Sequence, residues 1–220
     1  KGVRIIDAEN NNTYDYFSKI IFLNASTLNS AWVLMNSATD IWPGGLGSSS
    51  GELGHNLMED HFRAGASGEA DGYDDKYVYG KRPNGIYVVR YRNLFGDKRD
   101  YIRGFGYQGR ASREGWAREI AELSVGADFK EALCEPGQWT MGLGAFGETL
   151  PYHENKISLD KNKKDKWGLP VLAIDCEIKD NEKKMRQDMM NDAAEMLTVA
   201  RIKNVKTHDR GHNVGDGIHE

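Results

Sequence analysis

Cysteine is scarce in this 220-residue chain: two occur, Cys134 and Cys176, with no C-x-x-C and no histidine pair near either. That excludes a disulfide scaffold and a cysteine-type zinc site, and leaves one disulfide or two buried thiols open. An excess of positive charge is also absent. The formal net charge is −4, against the basic face that a nucleic-acid partner usually demands. Apolar runs are short; the longest, such as IIFLNA, fall far below the ~20 residues needed to span a bilayer. The stretch SSSG sits in a loop after a helix, not at a strand-to-helix turn, so no serine nucleophile is signalled. No initiator methionine or signal peptide opens the chain, which begins directly on the strand-like KGVRIID, so a piece of a longer protein is expected.

What is present reads as alternating strands and helices. Residues 1–7 and 14–25 form two strands around the ENNNT turn. The core of the second, KIIFLNA, is nearly continuous apolar, as in a strand covered on both faces of a mixed or parallel sheet. A helix follows, with Leu28, Trp32, Leu34 and Met35 near helical spacing and Ser26 and Thr27 available as caps. The loop WPGGLGSSSGELG invites a phosphate-cradle reading. It follows a helix instead of a strand and no lysine follows its glycines, so plain loop structure is favoured.

From residue 60 six stretches read as strands: HFRAGASGEADG, GIYVVRYRNL, YIRGFGYQGRAS, GQWTMGLGAFGE, NKISLD and LPVLAIDCEIK. A helix over about 113–131 carries Trp116, Ile120, Leu123 and Val125. A second, over about 180–203, places Met185, Met189, Ala193, Leu197 and Ala200 near one face, with Asp180 as its N-cap and its methionines as core filling. The sum is an α+β fold, a largely antiparallel sheet with helices on one face.

The six histidines are His55, His61, His153, His208, His212 and His219. His208, His212 and His219 could be drawn as a metal cluster for a hydrolase, but the residues around them, DRG and NVGDG, are poor helix formers and do not set a metal pair on one face. His153 and His208 read as isolated surface histidines. A glycine-rich approach, GDGIHE, leads into His219.

Three separated stretches resemble the glucose-methanol-choline (GMC) family of FAD-dependent oxidoreductases. IIFLNASTLNSAWVLMNSA is similar to the family's buried strand, Leu-Asn-Ser turn and apolar helix, with Ala31 and Ala38 where Pro and Gly are usual. GELGHNLMEDH resembles the G-x-N-L-x-D-H segment, with one extra residue before Asp60. GDGIHE resembles the start of the family's H-E-M-G-T segment, and the DKWGLPVLAIDCEIK region resembles what precedes it in sugar-oxidising bacterial members.

The resemblance implies residues 1–59 as part of an FAD-binding domain, 60–212 as a substrate-binding domain, and 213–220 as the start of an active-site segment. It implies His219 as the general base that removes the hydroxyl proton of an alcohol or sugar. It further implies Ala25, Ser26, Leu28, Asn29 and Ser30 as the turn against FAD, with Asn56 and His61 at the flavin–substrate boundary. The glycine fingerprint for the pyrophosphate is expected before Lys1, and a second active-site residue after Glu220. A fragment without them is expected to bind FAD weakly and to be inactive. Trp139, Tyr107 and Phe146 are candidate ring contacts, with core packing as the blander reading of each. The electron acceptor, whether oxygen, a quinone or a cytochrome, is not specified, and cytoplasm and periplasm both suit such a soluble bacterial-type protein. A non-enzymatic carbohydrate-binding domain is the alternative from a different class.

Overall fold

The structure, a computed structural model, describes residues 2–75, 85–113, 126–134 and 137–211. It is an α+β fold built from antiparallel sheets and helices, as the strand and helix patterns predict. The predicted helix over 113–131 falls largely outside the described residues. The described residues divide into two compact units, one of residues up to Met58 with Pro151–Glu177, the other of Glu59–Leu150 with residues from Ile178 to Gly211.

The first unit opens with the expected hairpin, β1 (Gly2–Ile6) and β2 (Thr13–Phe17), pinned by a bidentate Arg4–Asp15 pair across the strands. β2 ends at Phe17. The KIIFLNA run that follows belongs to no strand, and Ile20 and Phe22 are 70% and 83% exposed. The expected doubly buried strand is therefore absent: its composition suits a covered position, but no described strand pairs with it. Helix α1 (Ser26–Asn36) comes next. Ser26 is its first residue, and Ala25, not Ser26 or Thr27, occupies the cap position, with no side-chain cap bond. The Gly/Ser loop contains a single 3₁₀ turn at Ser48–Ser50, set between left-handed Gly47 and Gly51.

The sequence groups NKISLD and LPVLAIDCEIK with the larger sheet. They form instead a separate hairpin, β7 (Lys156–Lys164) and β8 (Pro170–Asp175), in the first unit. Leu28 and Met35 of α1 share a small core with Leu57, Ile157 and Cys176. The Trp32 indole N–H donates to the Pro170 carbonyl at 2.6 Å.

The second unit is a five-stranded antiparallel sheet in the order β4 (Gly85–Val88), β5 (Phe105–Arg113), β6 (Trp139–Glu148), β3 (Asp60–Ala70), β9 (Lys203–Asp209). Here α2 is Ala127–Cys134 and α3 is Asp180–Val199. Helix α3 covers one face of the sheet: Met185, Met189, Ala193 and Leu197 are fully buried against Ala64, Phe105, Tyr107, Leu143 and Ala145. The methionines are core filling, as their spacing predicts. The cap differs from expectation: Lys179 is the N-cap, and the buried Glu182 carboxylate accepts its backbone N–H at 2.9 Å and that of Leu150 at 3.1 Å. At Gly147 a Cβ would lie 2.5 Å from Met189 Cε, so glycine there lets the helix close onto the sheet.

Candidate functional site

The turn that the sequence singles out before α1 has unusual backbone. Ser26 is left-handed, with φ of 63°, a conformation costing a non-glycine residue about 1–3 kcal/mol and commonest at functional sites. The Ser30 hydroxyl accepts the Ala25 N–H at 3.3 Å and holds the turn from inside the helix. Ser26 and Asn29 are exposed, Ala25 and Ser30 half-buried, and the first turn carries no acidic side chain. Small side chains at a helix start leave room for a polar, electron-rich group to approach the backbone. Leu28 differs from its neighbours: it is buried and anchors the helix to its core.

Asn56 is also left-handed, with φ of 59°, and its amide donates to Glu52 at 2.5 Å. The other Glu52 oxygen lies 3.7 Å from His153 Nε2. His153 is not isolated, as its sequence suggests, but stacks on His55 with ring centroids 4.0 Å apart. His55 Nδ1 donates to the His153 carbonyl at 2.7 Å. Glu52 thus ties the Asn56 turn to the loop before β7. The Gly/Ser loop lines a shallow cleft of about 410 Å³ whose walls include Trp42, Ser48 and Leu53.

In the second unit the sheet face away from α3 carries the exposed side chains of Gln108, Arg110, Ser67 and Lys206. One row across it reads Tyr87, Gln108, Gly144, Gly65, His208. The next reads Gly85, Arg110, Gly142, Ser67, Lys206. Glycines floor the middle, and polar side chains rim both sides. A Cβ at Gly144 would meet nothing closer than 3.8 Å, and at Gly142 nothing closer than 3.5 Å. The fold does not require glycine at these two places; its effect is a flat floor. With strands about 4.8 Å apart, Gln108 and His208 stand about 14 Å apart across this floor. The imidazole of His208 is half-buried, and burial, followed by the nearby Arg210, holds its pKa below the usual histidine value.

The aromatic candidates separate. Tyr107 is fully buried and donates to the Met189 carbonyl at 2.8 Å, so it is core and not a ligand contact. Phe146 stacks on Phe62 at 5.6 Å and keeps 37% of its surface exposed. Trp139 is half-buried beneath the Arg113 guanidinium. His61 is fully buried beside Gly147. His212 and His219 lie outside the described residues. Among the described residues no group of three or more His, Cys, Asp or Glu side chains could hold a metal.

Sequence reasoning missed the glycine floor and β9. The signal for the floor was present, since glycine or a polar residue alternates with apolar residues in GFGYQGR and GLGAFGE.

No known protein-family profile matches the chain. It is similar to a 2-methyl-1,2-propanediol dehydrogenase of Mycolicibacterium austroafricanum, with 27% identity over 96% of its own length. The chain spans 38% of the length of that relative. No described helix is long and apolar enough to cross a membrane.

Proposed function

We propose that the chain is part of an FAD-dependent oxidoreductase of the GMC type that oxidises a CH–OH group of a small hydroxylated substrate. The observation that carries this reading is the similarity to a dehydrogenase over 96% of this chain, beside the GMC-like motifs of its sequence. That relative is named for a small branched diol, and a diol, polyol or single sugar ring is the size the glycine floor can take.

The left-handed turn at Ala25 and Ser26 fits the edge of a flat cofactor, because its side chains are small. Ser26, Asn29 and Ser30 would border the FAD, Leu28 would hold their helix in place, and Asn56, fixed by Glu52, would border it from the second turn. Bound FAD supplies the hydride acceptor that amino-acid side chains lack. His219 takes the hydroxyl proton on an imidazole nitrogen as the C–H bond breaks. An imidazole with pKa near ~6.5 is largely neutral at physiological pH and ready to act as base. Gln108, Arg110 and His208 would orient substrate hydroxyls over the floor, with Phe146 as an apolar edge.

In a longer polypeptide carrying about 200 further N-terminal residues, the size of a flavin domain, His219→Ala is expected to lower turnover by about 10²–10⁴-fold with little change in substrate binding. Unchanged turnover removes His219 from the mechanism. A colourless longer protein that rejects added FAD removes the flavin reading and favours a carbohydrate-binding domain that uses the same sheet face.

A further inference from the structure

The outer face of the five-stranded sheet gathers cations in a chain whose net charge is −4. Along β9 and its exit, the alternate residues Lys206, His208 and Arg210 share that face. Asp209, between them, is on the other side, where the Arg186 guanidinium of α3 donates to its carboxylate at 2.5 and 3.2 Å. It therefore does not neutralise them. Across the glycine floor stands Arg110 of β5. Arg110, Lys206 and Arg210 are exposed, and among the described residues their side chains make no ion pair or hydrogen bond. Acidic side chains on this face keep to its ends. Glu69 accepts from Asn204 at 2.7 Å at one end, and Glu148, 3.9 Å from Arg103, stands beside Asp60 at the other.

Edge protection explains part of this pattern. Lysine on an edge strand keeps other chains from pairing with it, and Lys206 lies on the edge strand β9. That reason does not reach Arg110, because β5 is paired on both sides, by β4 and β6. The cross-strand neighbours of Arg110 are Gly85 and Gly142, so no side chain beside it pairs with its charge. Arg110 and Lys206 occupy one row, with Gly142 and Ser67 between them. Their backbones are three strand spacings apart, about 14 Å, and both side chains are long enough to lean inward. A small anion on the floor would meet a guanidinium fork from one side and an ammonium from the other.

We infer that this face selects a substrate with an anionic group, a carboxylate or a phosphate on a small polyhydroxylated molecule, and that Arg110 and Lys206 recognise its charge. This rests on the proposed role of the face as the substrate surface, and it narrows the polyol or sugar ring to its acidic derivatives. A neutral polyol leaves both cations in water and gains little from them. An anion gains charge-assisted hydrogen bonds, about twice as strong as neutral ones. Selectivity is that difference.

In the longer, flavin-loaded protein at low salt, kcat/KM for gluconate or glucose 6-phosphate should exceed that for sorbitol about 10-fold or more. The better of the two anions tells carboxylate from phosphate. Arg110→Gln should lower the anion-to-sorbitol ratio about 10-fold, Lys206→Gln should lower it less, and added salt should shrink it by screening exposed charges. Unfolding curves that match the parent show that the loss is one of recognition. Equal kcat/KM for sorbitol and both anions overturns the inference, as does an anion preference that survives Arg110→Gln and Lys206→Gln together. Binding is read separately in the 220-residue chain, which needs no flavin. There gluconate or glucose 6-phosphate should shift the amide resonances of Gly65, Ser67, Gly142 and Gly144, sorbitol should not, and Arg110→Gln should abolish the shift. Amides that neither anion moves overturn the inference. Flavin that no alcohol, sugar or acid reduces marks the failure of the oxidoreductase reading instead, and the titration then decides the anion site by itself.

Discussion

The two units bury their apolar residues very differently. Under α3 the core holds eleven buried hydrophobic side chains among the described residues, eight of them with no exposed surface. The core beside α1 holds five, each retaining 5–9% exposure. Meanwhile Val3, Ile5, Tyr14, Tyr16, Phe17 and residues 20–23 of the first unit are 38–83% exposed. The second unit thus has what a free-standing domain needs. The first spends its β-branched and aromatic residues on surfaces that nothing described covers, so its opening free energy should be the lower of the two.

The largest expected effect that sharpens this contrast is Met189→Ala. Emptying a fully enclosed site should cost the second unit about 2–5 kcal/mol, read by chemical denaturation. Leu28→Ala in the thinner core should fall at or below the bottom of that range. Equal losses would remove the contrast. Next comes a pair within one strand. Gly147→Ala should cost about 1–3 kcal/mol by forcing Met189 and Met185 aside, whereas Gly144→Ala should stay within about 0.5 kcal/mol and raise KM for the substrate. A Gly144→Ala change that leaves KM untouched would argue against the floor as the substrate surface.

A smaller effect is the response to acid. The hydrogen bond from Arg186 holds the Asp209 carboxyl below the usual carboxylate range. The Asn93 N–H and then Arg99 do the same for Asp97. A depressed native pKa stabilises the fold above the unfolded value, near 3.8, and that contribution is lost as pH falls through the native pKa. The second unit should therefore lose stability below about pH 4, and Asp209→Asn should flatten part of that slope. The smallest change in stability is expected from Phe22→Ser, within about 0.5 kcal/mol, together with reduced self-association in light scattering as an exposed apolar patch is removed. A large loss of stability would mean Phe22 is better packed than its exposure indicates.

Much of this architecture is legible along the chain. Six strand segments after residue 60 and the buried face of α3 follow from period-2 and period-3.6 patterns. What escaped depends on distant partners. KIIFLNA has the composition of a covered strand, and composition cannot report whether a covering sheet exists. The β7–β8 hairpin sits beside α1 through contacts such as Trp32 to Pro170, 138 positions apart. β9, KNVKTHD, is a charged edge strand whose weak alternation hides behind a long helix. His61 looks like a boundary residue in GHNLMEDH and is core because the bulge at Phe62 and Arg63 resets the faces of β3. The Ala25–Ser30 turn was legible through resemblance, and its left-handed Ser26 was not.

The most direct test of the central claim is reduction of bound flavin under anaerobic conditions in the longer polypeptide. Mixing it with a small diol or sugar should bleach the oxidised-flavin absorbance, and His219→Ala should slow that bleaching by about 10²–10⁴-fold. Flavin that stays oxidised with every alcohol and sugar offered, or a protein that holds no flavin, would contradict the account.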